Sequence, residues 1–145
     1  MQLTEHFDLE ELTHSDVAER LGIDNTPSLE TVARLTTLAM GLEKVRAFLG
    51  GPILVSSGYR CPALNKAVGG ARNSAHLDGY AADFVCPSFG SAFAVARALA
   101  RSDIVFDQLI AEGSWVHISF DPQARGQRLT AHFGGPQGVV YTEGI

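Results

Sequence analysis

The sequence is short of cysteine, of basic clusters and of long apolar runs, and each shortage removes a class of protein. Its only two cysteines, Cys61 and Cys86, form no C-x-x-C pair, which excludes a cysteine-rich zinc ribbon and a thioredoxin-type redox motif. Two buried, reduced thiols are expected, with one disulfide between them as the alternative. Lys and Arg number 11 against 16 Asp and Glu, for a net charge of −5. An acidic chain of this kind lacks the electrostatic footprint of a nucleic-acid binder. No run approaches the ~20 apolar residues of a membrane-spanning helix. The start, from Met1 to Phe7, lacks the basic and apolar regions of a secretory leader. No internal repeat is present, so repeat arrays are excluded as well.

What is there suits one globular domain over residues 1–145. Hydrophobic residues make up 46% and charged residues 19% of the chain, ordinary values for a folded soluble protein. A short acidic stretch, Phe7 to Leu12, precedes a helix expected over Ser15–Leu21 and stopped by Gly22. The strongest helix is expected from about Pro27 to Leu49, with Thr26 as N-cap and Pro27 in the first turn. Val32, Leu35, Leu38, Leu42, Val45 and Leu49 form its apolar stripe. A second long helix is expected at about Ser88–Arg101, with Phe89, Phe93, Ala96 and Leu99 on one face. Strands are expected at Ile53–Ser57, Ala81–Cys86, Gln108–Ala111 and Trp115–Phe120, with an added edge near Tyr141. This order predicts an α+β fold with a small antiparallel sheet and helices packed on one side.

Two strands carry residues that a plain core does not need. In Trp115-Val-His-Ile-Ser-Phe120, alternation places Val116, Ile118 and Phe120 on an apolar face and Trp115, His117 and Ser119 on the other. A lone histidine is most simply a hydrogen-bonded structural residue, so strand phase leaves the two readings of His117 balanced. Asp83, in mid-strand beside the small Ala81, is disfavoured by strand propensity and costly to bury unpartnered. A metal ion, an arginine or backbone N–H groups would each serve as its partner. His76 sits just upstream, in a loop rich in Gly, Ser and Asn. Two histidines and one carboxylate, with a fourth position open, form the pattern of catalytic rather than structural zinc.

The segments Ser56-Ser-Gly-Tyr-Arg60, Leu64-Asn65, Gly69-Gly70, Ser74-x-His76-x-x-Gly79-x-Ala81-x-Asp83 and Trp115-x-His117 together resemble the zinc D-Ala-D-Ala carboxypeptidase family. That family shares its fold with lysostaphin-type peptidases and the hedgehog signalling domain. The similarity runs from the Phe7 region to the glycine-rich tail, and the string through His76 and Asp83 is its most specific part. The resemblance implies a hedgehog/DD-peptidase-like fold and zinc bound by His76, Asp83 and His117. It implies that Arg60 faces the substrate's carbonyl oxygen or carboxylate, and that Ser74 contacts the site. Trp115, on the His117 face, is a candidate cleft wall.

One departure stands out. Many members carry an acid three positions before the last histidine, where this chain has Ser114. Glu112, five positions before His117, is the nearest carboxylate and the candidate general base. Asp107 and Asp121 are weaker candidates. His6, His14 and His132 fall outside every matched motif and are expected to be surface or local packing residues.

The function so implied is zinc-dependent hydrolysis of peptidoglycan stem peptides or cross-links. Removal of a terminal D-alanine, cleavage between D-centres and cleavage near L-Ala-D-Glu all stay open. Without a leader or wall-binding module, a phage or prophage endolysin is expected, made in the cytoplasm as a monomer and acting on the cell wall after lysis or release. The alternative is an inactive, zinc-stabilised cell-wall binding or assembly module, favoured by the missing acid at position 114.

Overall fold

A computed structural model describes residues 1–145. Two short helices open the chain: α1 (Leu9–Thr13) is capped by Asp8, and α2 (Asp16–Leu21) by Ser15. Gly22 stops α2 at φ +69°, as the sequence predicts. The long helix α3 (Leu29–Leu49) starts two residues after Pro27, because Ser28 and not Thr26 accepts the capping bond, from the Thr31 N–H. Leu35, Leu38, Leu42, Val45 and Leu49 form its buried stripe as expected, but Thr31 is buried where Val32 was expected. Glycine is required at Gly41, since a Cβ there would overlap the Phe120 ring.

Strand β1 (Leu54–Ser57) leads through α4 (Pro62–Ala67) and α5 (Ala75–Asp78) to β2 (Ala81–Val85). Helix α6 (Ala92–Ala100) then precedes β3 (Gln108–Ala111) and β4 (Val116–Ser119). The chain ends in the ribbon of β5 (Gln127–Gly135) and β6 (Gly138–Glu143). The start of α6 differs from expectation. Gly90 sits at φ +152° and Ser91 caps the helix, so the buried stripe is Ala92, Val95, Ala96 and Leu99. Phe89 and Phe93 are therefore exposed.

The six strands form one sheet in the order β1-β2-β4-β3-β5-β6. All pairings are antiparallel except β3 with β5, which run parallel. The sheet is thus mixed, and larger than the small antiparallel one expected. The parallel pair arises because residues 120–126 carry the chain from β4 back to the far side of β3. Asp107 anchors that return: its carboxylate accepts bonds from the Arg125 backbone and guanidinium, and its carbonyl accepts from the Gln127 N–H.

The sheet's two faces do different things. Ala82, Phe84, Leu109, Ala111, Val116 and Ile118 face α3 and α6 in one core with Leu38, Leu42, Val95 and Leu99. Burying such side chains stabilises a fold by ~1.5–3 kcal/mol each relative to exposure. The alternate residues, Asp83, Ile110, Glu112 and His117, line a cleft on the other face. Both cysteines are free: Cys86 is buried in the core and Cys61 precedes α4, so the alternative of a disulfide is not realised. No helix is long and apolar enough to cross a membrane.

Candidate metal centre and cleft

Strand pairing builds the centre directly. Asp83 of β2 is the register partner of His117 of β4, so two side chains of one face meet where neighbouring strands run about 4.8 Å apart. His117 Nδ1 lies 3.0 Å from Asp83 Oδ1. His76 arrives from the single turn of α5, whose N-cap Ser74 accepts a bond from the His76 N–H. Its Nε2 lies 3.3 Å from the same Asp83 oxygen. The two imidazoles meet edge to face, with ring centroids 5.1 Å apart.

The tautomer of His76 is fixed from behind. Its Nδ1 is 2.7 Å from the Gly58 carbonyl, which only accepts, so Nδ1 carries the proton and the neutral ring turns the Nε2 lone pair inward. All three residues are buried, and their ligand atoms lie within 4.8 Å of one another. Burial pushes the Asp83 carboxyl up, but its contacts with the His117 and His76 imidazoles outweigh burial and hold the group well below the usual carboxylate range. Convergent imidazole lone pairs around a buried, ionised carboxylate are the donor set of a divalent cation. The residues fit a metal ion.

Arg60 is gripped beside this centre. Its Nε donates to Ser57 Oγ, Nη1 to Asn65 Oδ1 at 3.2 Å, and Nη2 to Asp83 Oδ2 at 3.4 Å. Ser57 is brought into position by an irregularity in the β1–β2 register between Val55 and Ser57. Asn65 is itself tied to the Ala71 carbonyl, and a Cβ on Gly70 would overlap Asn65 Oδ1 and crowd Arg60 Nη1. Asn65 and Gly70 thus belong to the arginine's mounting. Sequence reading gave them no role, although the small Gly70 near an Asn was the available signal.

Glu112 follows β3, and its backbone N–H donates to the Trp115 carbonyl across the turn to β4. Its carboxylate lines the cleft and accepts no hydrogen bond from the protein. Burial raises its pKa, His117 and Arg60 oppose the rise, and Asp83 adds to it. The structure therefore brings Arg60, Ser74, His76, Asp83, Glu112, Trp115 and His117 into one cleft of about 660 Å³. Asp107 lies apart, paired to Arg125. His6 pairs with Glu43, His14 with Asp16 and His132 with Thr142, each outside the centre.

A profile of the family described as Peptidase M15 matches residues 5–119. The chain belongs to the Peptidase M15 family. Among curated proteins, none matches it. Membership makes the chain a metallopeptidase with a peptide substrate, and the His-Asp-His cluster is its place for a metal ion. This M15 peptidase keeps every ligand candidate inside the matched residues. The cleft, however, extends past them: Phe133, Val139 and Tyr141 of the β5–β6 ribbon also line it, where the sequence predicts only an edge strand near Tyr141.

Proposed function

We propose that this M15 peptidase is a zinc enzyme that hydrolyses peptidoglycan stem peptides or their cross-links. In this reading all 145 residues form one peptidase domain, released to the cell wall by lysis as a phage or prophage endolysin would be. The observation that carries it is the convergence of His76, Asp83 and His117 next to an arginine and an unpaired carboxylate in one cleft.

His76 Nε2, His117 Nδ1 and an Asp83 oxygen would hold the ion. When bound, zinc supplies Lewis-acid chemistry, acidifying water and polarising a carbonyl. Glu112 is the general base in this reading: it takes a proton from the attacking water as the oxygen adds to the peptide carbon. The C–N bond then breaks, and Glu112 returns that proton to the leaving amine. Arg60 donates to the substrate's carbonyl oxygen as negative charge gathers there, or to a terminal carboxylate. Ser74 caps the turn that carries His76, and Trp115 walls the cleft.

The alternative of an inactive binding module drew its support from Ser114. In the proposed reading Glu112, whose carboxylate lines the same cleft, takes the part of the missing acid. Mass spectrometry of muropeptides from sacculi, with and without chelator, tests the proposal and names the bond through its new termini. Sacculi left intact by the zinc-loaded protein would overturn it.

A further inference from the structure

The β5–β6 ribbon has two unlike faces. Leu129, Ala131 and Phe133 alternate with Arg128, Thr130 and His132 along β5, and the register sets Ala131 opposite Tyr141. Leu129, Phe133, Val139 and Tyr141 face the cleft. On the opposite face His132 bonds to Thr142 at 2.8 Å. Phe133 is 51% and Tyr141 49% exposed, so neither contributes much to the core. Aromatics left half-bare along a cleft wall are there to cover something else.

The position of Tyr141 follows from the sheet. The parallel register Ala111↔Thr130 brings Ala131 alongside Glu112, and Tyr141 is the next residue out. Glu112 and Tyr141 therefore stand on one face, two strand spacings or about 10 Å apart. The buried, small Ala131 lies between them. The result is a slot with a carboxylate on one bank and a phenol on the other. Phe133, two residues beyond Ala131 on β5, meets Trp115 with centroids 6.4 Å apart. Gly113 permits that approach: it sits at φ +78°, and a Cβ there would come within 3.0 Å of Phe133.

We propose that Tyr141 is a substrate-binding residue of this peptidase, its hydroxyl donating a hydrogen bond to an oxygen of the peptide lying over Ala131, with Phe133 and Trp115 as the apolar wall beside it. The inference rests on the function proposed above. Burial and the carboxylates of Glu112 and Asp83 raise the phenol's pKa, so the group stays a donor at neutral pH. The Tyr141 hydroxyl makes no hydrogen bond within the protein and is free for a ligand. The ribbon lies beyond the family-matched residues 5–119, so Tyr141 would select substrate in a way that the matched part does not determine.

Trp115, the only tryptophan, lies in the cleft and reports binding. Stopped-flow fluorescence of the zinc-loaded protein with a stem pentapeptide ending in D-Ala-D-Ala measures Kd before turnover. Sacculus digestion and bound zinc are measured alongside. For Tyr141→Phe, a Kd weaker by about 3- to 10-fold is expected from loss of one hydrogen bond, with a larger loss for Tyr141→Ala and unchanged zinc content in both. Equal Kd and equal digestion rates across wild type and both variants would overturn the role of Tyr141 while leaving the proposed function standing. Wild type that neither digests sacculi nor changes fluorescence with the peptide overturns both.

Discussion

Asp83 and His117 are direct cross-strand partners, with Oδ1 and Nδ1 3.0 Å apart on the cleft face of the sheet. A one-residue slip between β2 and β4 would replace them by Ala82 or Phe84 and Val116 or Ile118, exposing core side chains and burying charge. The apolar pairing that secures the core thus secures the metal centre too.

That coupling predicts a large response to metal removal. A ligand present at a thousandfold its Kd stabilises the folded state by about 4 kcal/mol. For a chain of this length chelation should lower the melting temperature by roughly 8–16 °C, as scanning calorimetry would show. The double variant His76→Ala, Asp83→Ala should melt identically with and without chelator and hold no stoichiometric zinc. Full zinc occupancy in that variant would refute the assignment.

Glu112→Gln should lower kcat by about 10²–10⁴ while zinc content is unchanged. In the wild type, activity should rise with pH as Glu112 loses its proton, along an acid limb that belongs to this group. That limb should vanish in the variant. The stability consequence has the opposite sign. A carboxyl whose folded pKa is raised contributes stability below its unfolded pKa and loses it as pH rises through the folded value. Chelated Glu112→Gln should therefore melt above chelated wild type at pH 7, and the gap should close below pH ~4. A base that digests as fast after substitution would be no base.

Gly70→Ala tests the mounting of Arg60. The new Cβ would displace Asn65 and the guanidinium beside it, and misplacement by about 1 Å costs on the order of 10²-fold in rate. The loss should appear in sacculus digestion with the far-UV circular dichroism unchanged. Wild-type rates in this variant would mean that Arg60 needs no such support.

Asp107 and Arg125, the latter also lining the cleft, offer a test of stability. Arg125 Nε and Nη2 each lie 2.9 Å from the Asp107 carboxylate, which is almost fully buried. The hydrogen bond from Arg125 lowers the Asp107 pKa against the effect of burial. This stability is present above about pH 4 and lost as pH falls through the depressed folded value. Arg125→Ala should cost about 1–3 kcal/mol at pH 7 and flatten the acid limb of the stability profile. A chemical denaturation series across pH measures both.

Much of this was legible because strand alternation is local. The phase of Trp115–Phe120 separated core from cleft without tertiary knowledge, and the structure keeps that phase. The stripe on α3 was readable for the same reason. What failed depended on a single cap or on partners distant in sequence. Ser28 outcompeted Thr26, and Gly90 reset the phase of α6, stranding Phe89 and Phe93 in solvent. Strand β5 was missed although Leu129, Ala131 and Phe133 alternate, because glycines at its end read as a loop. Its parallel pairing depends on Asp107, which nothing local announces. The metal ligands came from a motif string, whereas the role of Gly58 exists only where it meets His76 and Leu12, both distant in sequence.

Gly58 shows what such contacts imply for assembly. Its carbonyl orients His76, and two residues on, the Arg60 N–H donates to the His76 carbonyl. The same bend is pinned to α1, since the Tyr59 N–H donates to the Leu12 carbonyl and a Cβ on Gly58 would overlap that oxygen. Asn25 adds a clasp, donating to the carbonyls of Thr13 and Tyr59 and accepting from the Cys61 N–H. The ligand ring is thus aimed by a bend that rests on α1, far back along the chain. The amino-terminal segment and the metal centre therefore share one support, and a change that unseats α1 would release the aim of His76 as well.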